Sequence, residues 1–183
     1  MEQITVYYDD QKETCRKCAK LFEEYEEIQC KKISDYELES IVFENNKRVG
    51  FLFESEGRKV SPAADQMIGK LVISKSGRYF VFVTGGKREL RAAMEAYNNL
   101  QTRGYKGANV YSKYYFEKYH MDEKQAVKQI VESIEDEDGI VPVLADRDPE
   151  LTAKDIRKKI RRELKEYKKF RKNNSKDRIK KSC

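Results

Sequence analysis

Several residue types are scarce in this chain of 183 residues, which has no tryptophan, one histidine, three prolines and four cysteines. Four cysteines are too few for a disulfide scaffold at this length, and one histidine without a second cysteine pair does not make a Cys/His zinc site. The apolar runs are far shorter than the roughly 18 residues that a membrane span needs. The start of the chain, MEQITVYYDD, lacks the charged-then-apolar order of a secretion signal. These absences predict a cytoplasmic protein with reduced thiols and no metal site.

Aromatic and charged residues are abundant. Twelve tyrosines and eight phenylalanines supply large apolar surfaces for a folded core, and the length suits one domain with a short appendage. The net charge of +6 is unevenly distributed, because residues 151–183 hold 15 Lys or Arg and 4 Asp or Glu, a balance of +11, which leaves −5 on the remainder. We therefore predict a mildly acidic domain over residues 1–150 and a strongly basic appendage over residues 151–183.

Segments typical of strands alternate with segments typical of helices. The strand candidates are short and apolar: ITVYY, EIQCKKI, RVGFLFES, RYFVFVT and GANVYS. The helix candidates carry apolar residues at helical spacing: CRKCAKLFEEY, SPAADQMIGKL, KRELRAAMEAYNNLQTR and DEKQAVKQIVESIED. Because parallel strands need crossover helices, this alternation predicts a three-layer α/β fold with a mostly parallel sheet. The two glycines after RYFVFVT predict a turn, and Gly104 predicts the end of a helix.

Four stretches together resemble the flavodoxin-like domains of anaerobic bacteria: ITVYYDDQKETCRKCAKLF, RVGFLFESEGRKVSPAADQMIGKL, RYFVFVTGGKRELRAAMEAYNNLQTRGY and GANVYSKYYFEKY. The resemblance covers about Gln3 to Gly139 and lies mainly in the order of the elements, the FVFVTGG segment and the RGY before the fifth strand. It implies a five-stranded parallel sheet of order 2-1-3-4-5 with FMN in the crevice at the carboxyl ends of the strands. No iron–sulfur centre follows, because the pattern of four closely spaced cysteines is absent.

The resemblance also implies which residues would contact FMN. Those at the phosphate are Gln11, Lys12 and Thr14. Those along the ring are Thr84, Gly85 and Gly86. The resemblance thus implies electron transfer with an unknown redox partner.

The residues of the first loop themselves indicate a different role. Phosphate loops of this family are built from Ser, Thr and Gly, because hydroxyls and bare backbone N–H groups surround a dianion without conflict. Here Thr14 alone has that character, and Asp9, Asp10 and Glu13 stand beside it. A carboxylate about 4 Å from a phosphate repels it by on the order of several kcal/mol. We therefore predict that this loop turns the chain and caps a helix, which makes a cofactor-free interaction module the alternative function.

The ring-facing loops, ESEGRKVS and TGGKRE, contain no aromatic side chain to stack on a flavin. Tyr111, Tyr114 and Tyr115 are nearby candidates, but tyrosines in such a run more commonly pack in the core. We predict packing for these three.

The pair Cys15 and Cys18 is open to two interpretations. A CxxC motif at the start of a helix is typical of a thioredoxin-like redox site, where the helix lowers the pKa of the first thiol. However, Cys18 shares an apolar face with Leu21 and Phe22, and nearby acidic residues raise a thiol pKa. We predict structural cysteines.

The basic appendage begins with a strong helix signal over Leu151 to Phe170. Its apolar stripe consists of Ile156, Ile160, Leu164, Tyr167 and Phe170. The favoured prediction is that the stripe docks on the domain or on a second copy as a homodimer, with the basic face in solvent. Contact with nucleic acid or an anionic membrane surface is the less favoured alternative. Residues 171–183 lack apolar periodicity and are predicted to be a mobile end.

Overall fold

The computed structural model describes residues 3–105 and 108–134, together with residues 158, 161, 162 and 165. The strands in this part of the chain are β1 (Ile4–Tyr8), β2 (Ile28–Lys32), β3 (Val42–Phe43), β4 (Arg48–Ser55), β5 (Leu71–Val72), β6 (Arg78–Gly86) and β7 (Ala108–Ser112). The helices are α1 (Glu13–Phe22), α2 (Pro62–Lys70), α3 (Glu89–Thr102), α4 (Lys113–Lys118) and α5 (Glu123–Ser133), with a 3-10 helix at Ile33–Tyr36.

Five strands form one parallel sheet in the order β2-β1-β4-β6-β7, while β3 and β5 pair in a separate two-stranded sheet. The predicted α/β architecture, a five-stranded parallel sheet flanked by helices, is confirmed. The strand numbers differ from the predicted 2-1-3-4-5 because the sequence analysis did not identify β3 and β5. Counted alone in chain order, the five strands of the large sheet run 2-1-3-4-5.

Helices cover both faces of the large sheet. α1 and α5 contact each other and share a core cluster with Leu52 and Phe80. α2 and α3 share the other cluster with Val49, Phe51 and Phe53. Alternate residues of β4 therefore enter opposite halves of the core, as the two-residue period of a strand requires.

The end of β6 differs from the sequence prediction. The predicted Gly-Gly turn is wrong, since Gly85 and Gly86 continue β6 and pair with β4 beyond a bulge. The chain turns after them instead, at Arg88, which has a left-handed φ of 60° and precedes α3. Gly104 ends α3 as predicted, with a φ of 83° and its N–H donating to the carbonyl of Gln101 at 2.9 Å.

Most of the basic appendage lies outside the described residues, including the stripe residues Ile156, Ile160, Leu164, Tyr167 and Phe170 and the end at 171–183. Four of its residues are described as helical and exposed, and they are Lys158, Arg161, Arg162 and Lys165. Within the part of the chain that the structure covers, every helix is too short or too polar to cross a bilayer.

Candidate functional site at the carboxyl edge of the sheet

The carboxyl ends of β1, β4 and β6 meet at one edge of the large sheet. β1 lies between β2 and β4, so the crossovers that leave β1 and β2 run in opposite directions along the sheet. Such a reversal opens a crevice between the loops that follow the two central strands, and ligands of doubly wound folds bind there. The loop after β1, the loop after β4 and the end of β6 supply the side chains at this crevice.

Three hydroxyl and thiol groups from distant parts of the chain come together at the start of α1. Thr14 Oγ1 lies 2.8 Å from Thr84 Oγ1, and Cys15 Sγ lies 3.1 Å from the same atom. Thr14 Oγ1 also donates to Glu54 Oε1 at 2.7 Å. Each hydroxyl has one proton, and Thr14 gives its proton to the Glu54 carboxylate. The Thr84 proton has two acceptors within reach, Thr14 Oγ1 at 2.8 Å and the Phe53 carbonyl oxygen at 3.3 Å, and the Cys15 thiol can donate to Thr84 Oγ1. The structure thus brings together the predicted residues Thr14 and Thr84, with a carboxylate beside them.

The other two residues implied at a phosphate also contact carboxylates. Lys12 Nζ lies 2.5 Å from Glu56 Oε1, and this hydrogen bond raises the pKa of Lys12. Gln11 Nε2 donates to Asp10 Oδ2 at 3.0 Å on the exposed side of the loop. Each of these two side chains is therefore already engaged with a carboxylate of its own chain.

Asp9 explains how the loop after β1 turns. Its carboxylate is buried, with Oδ1 accepting from the Gln11 N–H at 3.2 Å and Oδ2 accepting from Ser61 Oγ at 2.9 Å. Ser61 in turn accepts from the Ala64 N–H and caps α2. The prediction that the loop turns the chain is confirmed. The predicted capping is wrong for α1, whose N-cap residue Lys12 makes no side-chain cap bond; the acidic loop instead supports the cap of α2.

Gly85 and Gly86 lie in the ladder between β6 and β4, opposite Glu54 and Ser55. Gly86 has a φ of 97°, and a Cβ there would lie 2.2 Å from the Ser55 carbonyl oxygen. At Gly85 a Cβ would make only ordinary contact with Glu54 Cγ at 3.8 Å. Gly86 is therefore required by the backbone, whether or not a ligand approaches it.

These residues are a poor fit for FMN. A phosphate at the start of α1 would lie close to the Glu54 carboxylate that Thr14 binds, and each pair of unit charges about 4 Å apart costs about 4 kcal/mol at an effective dielectric of about 20. Tyr111, Tyr114 and Tyr115, at 0%, 1% and 2% exposure, are packed in the core, as predicted, and present no ring face to the crevice.

Cys15 and Cys18 are both buried, and burial raises the pKa of each thiol to about 12. The hydrogen bond with Thr84 opposes this shift at Cys15 without reversing it. A thiol with such a pKa is almost entirely protonated at neutral pH, and only the thiolate is nucleophilic. Both cysteines are packed in the core cluster on the α1 side, as the sequence analysis predicted.

Sequence reasoning missed two features near this edge. Glu89, at the start of α3, is buried and accepts from Ser112 Oγ at 2.7 Å and from the Tyr114 N–H at 2.9 Å, both on Oε2. Burial raises its pKa to about 7. A cavity of about 240 Å³ is also lined by Cys18 of α1, Phe82 and Thr84 of β6, and residues of α4 and α5. The sequence around Glu89 and around the cavity reads as ordinary amphipathic helix, so it gave no signal for either feature.

Glu54 was also missed, although a signal for it existed. It follows the apolar run VGFLF of β4, and polar residues at the carboxyl end of a buried parallel strand are placed at the crevice. Among the described residues, no group of three or more His, Cys, Asp or Glu side chains has an arrangement suited to a metal ion.

Comparison of the chain with protein-family models, with curated proteins and with solved structures found no match.

Proposed function

We propose that this chain is a flavodoxin-like α/β domain that serves as a cofactor-free interaction module in the cytoplasm. The observation that carries the proposal is the hydrogen bond of 2.7 Å from Thr14 Oγ1 to Glu54 Oε1. The first loop of a flavodoxin-like crevice offers its donors to a phosphate. Here the Glu54 carboxylate accepts the hydrogen bond of the Thr14 hydroxyl at the start of α1, and Glu56 forms an ion pair with Lys12.

The flavodoxin-like part of the proposal is supported by the parallel sheet, the helices on both faces and the reversal of direction beside β1. These are general features of doubly wound folds, and the reversal is where a nucleotide would bind. The acidic loops at this position are why we propose a role without the nucleotide.

The interaction part rests on the basic appendage. Residues 151–183 carry +11 against −5 on the rest of the chain, and the predicted helix has an apolar stripe through Ile156, Ile160, Leu164 and Tyr167. A basic amphipathic helix of this kind fits an acidic and apolar protein surface. A nucleic acid would bind the basic face through its phosphates but would leave the apolar stripe exposed to water. The partner surface is protein, either on this domain or on a second copy.

A second candidate is an FMN-dependent electron carrier, which is favoured by the meeting of Thr14 and Thr84 at the crevice, 2.8 Å apart. An absorbance titration near about 450 nm with added FMN separates the two candidates. We expect no complex up to high micromolar FMN, which corresponds to about −5.5 kcal/mol or weaker. Binding in the low micromolar range would replace the interaction module with the electron carrier.

The choice of protein over nucleic acid is tested by fluorescence anisotropy of labelled duplex DNA and RNA in about 50 and 200 mM salt. We expect weak binding that disappears at the higher salt, as contact through charge alone does. Submicromolar binding that survives the higher salt would make nucleic acid the partner.

A further inference from the structure

Exposed apolar side chains are concentrated at one place on the domain. Among the described residues, the exposed large hydrophobics are Leu38, Ile41, Phe43, Val72 and Tyr119. Phe43 and Val72 belong to β3 and β5, Ile41 directly precedes β3, and Leu38 lies four residues before β3 in the chain. Phe43 is 75% exposed and stands opposite Val72 in the register of the two strands. We call Leu38, Ile41, Phe43 and Val72 the outer apolar patch. Contiguous exposed apolar surface is a common feature of interaction sites in soluble proteins.

The outer apolar patch stands on a fixed element. Val42 and Leu71, the inward partners in the two strands, are buried in the core cluster on the α2 side. The next residue, Glu44, is also buried, and its Oε2 accepts from Tyr7 Oη at 2.8 Å and from Lys31 Nζ at 2.8 Å. Because β3 is anchored at both Val42 and Glu44, Phe43 points outward as a consequence of strand alternation.

The surroundings of the patch are acidic on the β3 side. Residues 33–46 include no Lys or Arg and four carboxylates, of which Glu44 is buried and paired with Lys31. Asp35, Glu37 and Glu39 are exposed, and they bracket Leu38. Lys70 and Lys75 flank the β5 side, and the ammonium of Lys70 donates to the Tyr36 carbonyl. An apolar surface fits the apolar face of an amphipathic helix, and its acidic border attracts a segment of net positive charge over about a Debye length without direct contact.

The chain carries such a helix signal in its own basic appendage. Lys158, Arg161, Arg162 and Lys165 are helical and exposed, and their spacing of three, four and seven residues places them on one side of a helix. At 100° per residue, Ile156, Ile160, Leu164 and Tyr167 fall on the opposite side. A surface that receives the apolar stripe therefore leaves the described basic residues in solvent.

The connecting segment is long enough to reach the patch. Sixteen residues, 135–150, separate the end of the described domain from Leu151. An extended chain of that length spans up to about 50 Å, more than the diameter of a domain whose radius of gyration is about 14 Å. A tethered segment binds its own domain at an effective concentration of about a millimolar.

A second copy is a poorer occupant. Stable dimers bury about 20 to 30 residues on each side, whereas four apolar side chains suit the three or four anchors of a helix in a groove. We propose that the outer apolar patch binds the segment Leu151–Phe170 of the same chain, with the apolar stripe on Phe43 and its neighbours and the basic face outward. This rests on the proposed function, because it assigns the partner surface of the interaction module.

Hydrogen exchange of the full chain, read by mass spectrometry over peptides within 151–170, tests the proposal. Phe43→Lys removes the central apolar contact and repels a basic segment, while Lys is well tolerated on an exposed edge strand. The matched control is Tyr119→Lys, which changes an exposed aromatic beyond the end of α4. Val72→Lys serves as a second patch variant.

We expect the wild-type peptides from 151–170 to be protected from exchange. In both patch variants their exchange should be roughly tenfold faster or more, because the loss of one buried large side chain shifts the opening equilibrium by about that factor. The control variant should match the wild type. Unprotected wild-type peptides, or equal exchange in wild type and patch variants, would overturn the proposal. The proposal would also be overturned if protection disappeared on dilution and analytical ultracentrifugation showed a dimer. That result would assign the patch to a second copy. None of these results bears on FMN binding or nucleic-acid binding, so the proposed function is tested separately.

Discussion

Glu89 makes the stability of this domain depend on pH in an unusual direction. Its carboxyl group is buried at the start of α3, and burial raises its pKa from 4.5 to about 7. In the unfolded chain the group ionises near 4.5, so between about pH 4.5 and 7 the folded state binds one proton more than the unfolded state. Stability must therefore fall as the pH rises through this window, the opposite of the usual behaviour of a carboxyl group.

The magnitude follows from the size of the shift. A difference of about 2.5 between the folded pKa of about 7 and the reference of 4.5, at 1.36 kcal/mol per pH unit, gives about 3 kcal/mol lost between pH 4.5 and 7. The variant Glu89→Gln should abolish this loss. Both observed donors, Ser112 Oγ and the Tyr114 N–H, bond to the same oxygen, so the amide oxygen of Gln accepts them both.

Urea unfolding of wild type and Glu89→Gln at several pH values between about 4.5 and 8 measures the difference. We expect the two proteins to be similar at the acid end and the variant to be more stable by up to about 3 kcal/mol at pH 8. The comparison cancels the other titrating groups, which are common to both proteins. If the free energies of unfolding of the two proteins changed with pH in parallel, the claim that burial raises the pKa of Glu89 would be refuted.

Three further predictions concern the crevice and its supports. Gly86→Ala should destabilise the fold by at least about 2 kcal/mol in urea unfolding. The control Gly69→Ala, where a Cβ meets no atom within 4 Å, should be neutral or stabilising by up to about 1 kcal/mol. Equal effects of the two substitutions would contradict the close approach of Gly86 to Ser55. Ser61→Ala removes both the α2 cap and the partner of Asp9 and should cost about 1 to 2 kcal/mol, against less than about 0.5 for the exposed Ser76→Ala. Because burial raises the pKa of Cys15 to about 12, its alkylation in the folded protein should be slow and should rise about tenfold per pH unit up to pH 10; a fast, pH-independent rate at neutral pH would restore the redox interpretation.

The sequence predicted the layers of the fold well because long apolar strands and amphipathic helices carry strong periodic signals. β4 and β6 read as buried strands, and α1, α2, α3 and α5 each show an apolar face. β3 and β5 were missed because strands of two residues have no measurable period. The turn at Gly85 and Gly86 was wrong because tertiary pairing with β4 extends β6 through both glycines.

The site was predictable only in part. Thr14 and Thr84 were correctly placed at one edge of the sheet, since both follow from strand order and strand ends. The partners of the polar groups were not predictable, because the contacts of Thr14 with Glu54 and of Asp9 with Ser61 join residues 40 and 52 positions apart. Which carboxylate accepts a hydrogen bond from which hydroxyl depends on the geometry of the loops, and no short-range sequence pattern encodes that geometry.

The central claim is that the carboxylate of Glu54 excludes a phosphate from the start of α1. The most direct measurement is an FMN titration of wild type, Glu54→Gln and the control Glu39→Gln, which neutralises an exposed carboxylate beside the outer apolar patch. We expect no wild-type complex at high micromolar FMN and at least tenfold tighter binding by Glu54→Gln, as removal of a charge worth more than about 1.4 kcal/mol requires. Low micromolar binding by the wild type, or Glu54→Gln and Glu39→Gln that bind equally, would contradict the claim.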